Sequence, residues 1–185
     1  MAIWLWVVGG IILLALLVVI FYYNRLTVLS NRVDNSLSQI DVQLKRRADL
    51  IPNLLETVKG YAKHERKIID SVTEARKALM GAGNLQKKIK ADNQLEGALK
   101  SLFALAENYP DLKANTNFLE LQKELSATED RVAYSRQYYN DSILSYNLLC
   151  RTFPGKVFAN SFGFKEKEYI QITEAEKELP KVKFE

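Results

Sequence analysis

The single histidine and the single cysteine are the residues of this sequence best suited to catalysis. His64 is followed by Glu65, and adjacent residues of a helix face different directions, so this pair forms no cluster by itself. A catalytic cysteine would need a base, and His64 is the one histidine available to Cys150. Cys150 falls near the end of an apolar helical face, which favours a buried and inert thiol. We therefore expect no enzyme, no catalytic or metal site, and no cofactor or small-molecule substrate.

The densest charge group is formed by Lys45, Arg46, Arg47 and Asp49. Basic residues at the end of a helix complement its negative dipole, so a solvated helix end is the favoured interpretation. The alternative is a docking patch for an acidic partner or for a second copy of the chain. These four residues are the first candidates for an interaction site.

Four tyrosines between residues 134 and 146 form a second candidate group. Tyr134 and Tyr138 are spaced by four and share a helical face with Arg136 nearby, whereas Tyr139 and Tyr146 lie on another face. Large rings beside arginine are typical of interaction hot spots. They also fill helical bundles when their hydroxyl groups find partners, which is the favoured interpretation. Tyr134, Arg136 and Tyr138 complete the candidate interaction residues.

The composition predicts a helical protein. Only 8 of the 185 residues are glycine and 4 are proline, which suits long helices rather than a sandwich or barrel rich in turns. The net charge of +4 is modest, and basic and acidic residues are interspersed, so we expect no nucleic-acid partner. A single cysteine rules out an intramolecular disulfide framework.

Residues 3–23 form an uncharged apolar segment. As a helix it would be about 31 Å long, which matches a hydrocarbon core of about 30 Å. Trp4 and Trp6 near one end, and Tyr22 and Tyr23 at the other, are typical of rings at the headgroup level. A cleaved signal peptide is disfavoured, because the segment lacks a basic leader and a cleavage pattern. We predict a transmembrane anchor over residues 1–24 that contacts the lipid bilayer.

The charges that flank the apolar segment predict its orientation. Arg25 and Arg32 follow the segment, whereas the α-amino group is the one basic group before it. The positive-inside rule then places the N-terminus outside and the body in the cytoplasm.

An apolar stripe begins directly after the anchor, with steps of three and four residues from Leu26 to Leu44. The membrane helix is therefore expected to continue into the body as one rod. Pro52 should interrupt it near residues 49–51. A tight hairpin there is favoured over a kink within one helix, because Asp49, Pro52 and Asn53 cluster turn residues. The second helix should end at Gly81.

Two further helices are predicted over residues 90–108 and 117–151. Thr116 or Asn117 is the expected N-cap of the last one. The following residues, 152–164, combine glycine and proline with four phenylalanines, which predicts an irregular aromatic cap or a short helix. The fold class is thus all-α: an N-terminal transmembrane helix that continues into an up-down four-helix bundle, residues 25–172, with an aromatic cap. Residues 173–185 are charged and are expected to form a frayed tail.

Two stretches carry a resemblance to a known family. They read NRVDNSLSQIDVQLKRRADLIPNLLETVKGYAKHER, residues 31–66, and RVAYSRQYYNDSILSYNLLCRTFPGKVFANSFGF, residues 131–164. Both resemble the LemA family of bacterial membrane proteins. The resemblance implies a single-pass protein of the bacterial inner membrane with a helical-bundle domain. The family includes a relative associated with magnetosome membranes. No enzymatic activity is established for the family, so the resemblance implies none for this chain.

The leading hypothesis is a membrane-anchored scaffold or self-assembling module, with a homo-oligomer or a protein partner. The alternative is an adaptor or regulator of a membrane enzyme such as a protease. That alternative depends on membrane location and family analogy alone.

Overall fold

A computed structural model describes residues 2–170, which form six helices and no strand. The helices are α1 (Ala2–Tyr61), α2 (Arg66–Met80), α3 (Leu85–Ala106), α4 (Pro110–Lys113), α5 (Thr116–Arg151) and α6 (Gly155–Phe162). The predicted all-α fold is confirmed. The predicted tail, residues 173–185, and the last residues of the predicted bundle domain lie outside the described part of the chain.

Helix α1 joins the apolar segment to the body without a break. Among the described residues it is the one helix long and apolar enough to cross a membrane. Its side chains from residue 3 to residue 23 are almost all exposed to the surroundings, and burial inside the protein starts at Leu26 and Leu29. An apolar surface of this length is stable in lipid and unfavourable in water. The predicted continuation of the anchor into the body is therefore confirmed.

The predicted hairpin at Pro52 is wrong, because α1 passes through this residue and ends at Tyr61. Proline has no N–H group, so it cannot bond the carbonyl oxygen of residue 48, four positions earlier. The Arg76 guanidinium donates to that oxygen instead, with Nε 2.8 Å from the Ala48 oxygen. The chain turns at residues 62–65 before α2, and α2 ends at Met80, directly before Gly81 as predicted.

Two asparagines set the starts of α3 and α5. The Asn84 side chain accepts a hydrogen bond from the Lys87 N–H group at 2.9 Å, which begins α3 five residues before the predicted start. The Asn115 side chain accepts one from the Phe118 N–H group at 3.0 Å. Asn115, rather than Thr116 or Asn117, is therefore the residue whose side chain caps α5.

The described residues divide into two compact units, and α1 and α5 contribute to both. The first unit contains residues 2–40 and 135–169, with α6 as its third helix. The second contains residues 41–134 and Ile170, and here α2 packs along α3 and the four longer helices supply the core. Most of its deeply buried residues are apolar, as a bundle core requires. They include Ala48, Ile51, Leu54, Val58, Val72, Leu95, Leu102 and Leu112.

The predicted aromatic cap contains a short helix, α6, which two glycines delimit. At Gly155 a Cβ atom would lie 2.3 Å from the Leu149 carbonyl oxygen, so only glycine permits this approach to the end of α5. Gly163 ends α6 in the left-handed region, with φ of 75°. The Phe164 N–H group then bonds the Ala159 oxygen at 2.9 Å, which satisfies a terminal carbonyl of α6.

Candidate functional site

Arg47, one member of the predicted charge group, lies in the core of the second unit with 2 % of its side chain exposed. Its Nη1 atom lies 3.0 Å from Oδ1 of Asp92, which is equally buried, and its Nη2 atom lies 3.5 Å from Oε2 of Glu129. The guanidinium thus joins α1 to α3 and α5. Because this side chain is enclosed, Arg47 does not belong to the surface that the sequence suggested for docking.

The other three members of the charge group remain at the surface of the second unit. Lys45 pairs with Asp49 at 3.3 Å along the same helix. Arg46 reaches across to α5, where its Nη2 atom lies 2.9 Å from Oε2 of Glu124. Both basic side chains therefore have an acidic neighbour. Lys45 is the most exposed cation of the group, with 67 % of its side chain exposed against 48 % for Arg46. Its role in docking stays a prediction.

A groove of about 200 Å³ lies beside Lys45 in the second unit. Leu79 and Met80 supply apolar lining, and half of the Met80 side chain is exposed. Lys88 and Asp41 close one side through an ion pair of 2.7 Å. The groove combines an apolar floor with a charged rim, which is the composition of many protein interaction surfaces.

The four tyrosines separate as their spacing predicts. Tyr139 and Tyr146 are buried in the first unit, where Tyr138 is half-buried. Tyr134, in the second unit, is 68 % exposed. The bundle-filling interpretation therefore fits the buried pair, whereas the Tyr134 ring is available to a partner. Arg136 is half-buried and has interactions within the protein.

A pinned segment that the sequence did not predict lies in the first unit. Residues 164–169 follow α6 in a non-helical conformation, and we call them the strap. The Asn147 side chain donates from Nδ2 to the Lys167 carbonyl oxygen at 2.8 Å and accepts from the Lys167 N–H group at 2.9 Å. The Tyr146 hydroxyl donates to the Lys165 carbonyl oxygen at 2.9 Å. Two adjacent residues of α5 thus bind the backbone of the strap.

The Lys167 side chain fastens the strap to α1. Its Nζ atom lies 2.7 Å from Oδ1 of Asp34 and 5.5 Å from the centre of the Tyr146 ring. These contacts combine an ion pair with a cation–π interaction. One signal for the strap was present in the sequence: Asn147 follows Tyr146 on an apolar helix, and a buried amide requires hydrogen-bond partners.

Burial changes the acidity of two groups beneath the strap. It raises the pKa of the Tyr146 hydroxyl well above its ordinary value, and the neighbouring Cys150 adds to this effect. Burial also raises the pKa of the Cys150 thiol. On the surface of the strap, the hydrogen bond from Arg151 lowers the pKa of the Glu166 carboxyl group. Cys150 is buried as the sequence predicted, and His64 is exposed in the turn before α2.

An aromatic cluster lies at the end of the apolar segment in the first unit. Phe158 of α6 stacks on Tyr22, with ring centres 4.9 Å apart and planes inclined by 12°. Phe162 and Phe164 meet the edge or face of Tyr23, with ring centres 5.1 and 6.1 Å apart. Three of the four phenylalanines of the predicted cap therefore pack on the last two residues of the candidate membrane span.

Comparison with known proteins gives one family match, which covers most of the chain. The sequence profile of the LemA family matches residues 36–184. Protein LemA of Metamycoplasma hominis is 26 % identical over 165 residues, which cover 85 % of this chain and 75 % of that protein.

Two further relatives are magnetosome proteins. Magnetosome protein MamQ 2 of Paramagnetospirillum magneticum is 26 % identical over 175 residues, and magnetosome protein MamQ of Magnetospirillum gryphiswaldense is 25 % identical over 174 residues. Each match covers 80 % of this chain. The chain spans 64 % of the length of these magnetosome relatives.

Proposed function

Because the chain belongs to the LemA family, we propose that it is a membrane-anchored scaffold whose helical bundle self-associates or holds protein partners at the bilayer. The observation that carries this proposal is the continuity of α1. One helix supplies the exposed apolar segment and then, from Leu26 onward, part of the buried core. The proposed function requires no catalysis.

The absence of a flexible linker supports a structural role over simple tethering. A linker rich in glycine or serine would let a domain sample many orientations at a membrane. Here the helix that leaves the apolar segment is bound to the strap within about three turns, through Asp34 and Lys167. The first unit is therefore held near the bilayer in a defined arrangement, which favours ordered assembly.

We propose that the N-terminus is outside and the body is cytoplasmic. Arg25 and Arg32 follow the apolar segment, and the fold brings Lys156 near the same end through the contact of α6 with Tyr22. Basic residues close to a membrane helix favour the cytoplasmic side. Cysteine substitutions at exposed positions, probed with a membrane-impermeant thiol reagent in intact cells, test this. Labelling of the body from outside would reverse the orientation.

The proposed partner contacts are two exposed positions of the second unit, one at Tyr134 on α5 and one at Lys45 on α1. Both side chains reach solvent, and aromatic and basic groups are common at interaction hot spots. The groove beside Lys45 offers an apolar floor of the kind that a partner side chain fills. A second copy of the chain and a different protein are both compatible with this chemistry, and the experiment separates them by mass.

Photocrosslinking in native membranes tests the proposal. A photoreactive amino acid replaces Tyr134 in the full chain, and the matched control replaces Ser101, an exposed residue of α3 whose hydroxyl group bonds its own helix. We expect a reproducible adduct from position 134 and little from position 101. An adduct of twice the chain mass indicates self-association. Recovery of only monomer from position 134 would overturn the proposal, and capture of a membrane enzyme alone would favour the adaptor alternative.

A further inference from the structure

The residues around α6 expose an unusual amount of apolar surface. Phe153, in the turn before α6, is 86 % exposed, and Val157 and Phe162 of α6 are 53 % and 43 % exposed. Isolated exposed apolar residues are ordinary on proteins, but here three of them lie within or directly before one helix of eight residues. Surfaces of this kind mark an interaction site for a protein or for lipid.

The inner face of α6 shows where this surface lies. Phe158 and Phe162 are one helical turn apart, yet they contact adjacent residues of α1, Tyr22 and Tyr23. Both rings of α6 thus contact the last two residues of the apolar segment, which places α6 beside the end of this segment.

The height of α6 is fixed by the same contacts. Tyr22 and Tyr23 are the last residues of the apolar segment, and tyrosine rings in this position lie at the headgroup level of a bilayer. Val157 is adjacent to Phe158, which stacks directly on Tyr22. Val157 thus lies beside the end of the apolar segment, at the level where headgroups and acyl chains meet.

The charges around α6 agree with a lipid surface. Lys156 is exposed in the first turn of α6, Arg25 is exposed two residues after Tyr23, and Arg151 is exposed at the end of α5. The carboxylate of Glu166 offsets the last of these through its ion pair. A short helix with apolar residues on one side and basic residues at the headgroup level is typical of interfacial helices, which favour anionic lipids.

We propose that α6, with the turn at Phe153, is an interfacial membrane helix that inserts Phe153 and Val157 at the boundary of headgroups and acyl chains. This inference depends on the proposed anchoring by residues 3–23. It assigns the chain a second lipid contact, which holds the first unit against the bilayer beside its own transmembrane helix. The occupant of the exposed surface is phospholipid with a substantial anionic fraction.

Depth-dependent fluorescence quenching tests the inference. Val157→Cys or Phe153→Cys is placed in the full chain with Cys150→Ser, labelled with an environment-sensitive fluorophore, and reconstituted in vesicles of phosphatidylcholine and phosphatidylglycerol. Ser38→Cys is the matched control, because Ser38 is an exposed residue of α1 in the same unit, about 22 Å beyond Tyr23. Trp4 and Trp6 are the only tryptophans and report insertion of the anchor separately.

We expect blue-shifted emission and severalfold stronger quenching by lipids spin-labelled near the headgroup at positions 153 and 157 than at position 38. Lipids brominated in their acyl chains should quench the tryptophans. If the tryptophans are quenched while positions 153 and 157 behave like position 38, α6 is not interfacial and the anchoring stands. If the tryptophans escape quenching, the anchoring itself fails. Cys150→Ala provides a second background if Cys150→Ser loses helical circular dichroism.

Discussion

The Arg76 guanidinium donates a hydrogen bond of 2.8 Å to the Ala48 carbonyl oxygen, the acceptor that Pro52 leaves without its usual helical donor. Ala48 is fully buried, so this oxygen has no access to bulk water. A buried carbonyl group without a partner costs about 1–3 kcal/mol. The side chain of α2 thus allows α1 to continue through a proline and at the same time fixes α2 against α1.

Replacement of Arg76 should therefore lower the free energy of unfolding more when residue 52 is proline than when it is alanine. We expect Arg76→Met to destabilise the protein by about 1–3 kcal/mol, because the Ala48 oxygen loses its donor. In the Pro52→Ala background the restored N–H group can bond this oxygen, so the same replacement should cost clearly less. Urea unfolding of the full chain in detergent, followed by helical circular dichroism, gives both values. Equal costs in the two backgrounds would show that Arg76 acts in another way.

Adjacent arginines of α1 should respond very differently to replacement. Arg47→Met leaves the Asp92 carboxylate buried without this guanidinium, and removal of one partner of a buried ion pair costs about 3–5 kcal/mol. Arg46→Met breaks an exposed pair with Glu124, for which about 0–1 kcal/mol is expected. Arg46→Met is thus the matched control.

The double variant Arg47→Met, Asp92→Leu checks the cause of this loss. It removes both buried charges, and apolar residues of similar volume often replace such pairs without loss of stability. We expect it to recover much of the stability that Arg47→Met loses in the same unfolding experiment. A double variant as unstable as Arg47→Met alone would mean that packing around Arg47, rather than charge, dominates.

Asn147 should control the order of the strap. Asn147→Leu removes both hydrogen bonds to the Lys167 backbone, so the Lys167 amide should exchange its hydrogen much faster with solvent. Ser145→Ala is the control, because Ser145 is exposed on the same helix and its hydroxyl group bonds only the local Asp141 carbonyl oxygen in the described structure. Hydrogen exchange followed by mass spectrometry measures both variants. Unchanged protection of residues 164–169 in Asn147→Leu would contradict this assignment.

The pattern of apolar residues predicted the long helices, but it predicted neither the position of the first turn nor the short helix α4. The stripe from Leu44 to Leu55 is continuous across Pro52, and local rules for proline favoured a hairpin there. The deciding interaction is the bond from Arg76 to the Ala48 oxygen, and Arg76 lies 28 residues beyond Ala48 in the chain. A donor this distant in sequence is not visible to local turn rules, so tertiary structure overrode the local preference of proline.

The charge group shows a similar limit. Lys45, Arg46 and Arg47 are consecutive, and their types do not reveal which one faces the core. The apolar phase places Leu44, Ala48 and Ile51 inside, and Arg47 falls close to this face. Its burial is compatible with folding because Asp92, on another helix, supplies the opposite charge. A buried ion pair can be distinguished from a surface patch only when the relative positions of α1 and α3 are known.

The Cys150 thiol should react more slowly in the folded protein than in the unfolded chain. Burial raises the pKa of this thiol above its ordinary value of 9.0, whereas the hydrogen bond with Tyr146 lowers it and the charge of Glu166 raises it. The folded state therefore binds the thiol proton more tightly than the unfolded state does. The resulting stabilisation is complete below the unfolded pKa and is lost as the pH rises through the folded pKa.

We expect the pH profile of Cys150 alkylation by iodoacetamide to lie at higher pH for the folded protein than for the same chain in urea, since thiolate is the reactive form. Coinciding profiles would contradict the burial of Cys150, and Ser161→Cys, at an exposed position of α6, supplies the reference for an accessible thiol.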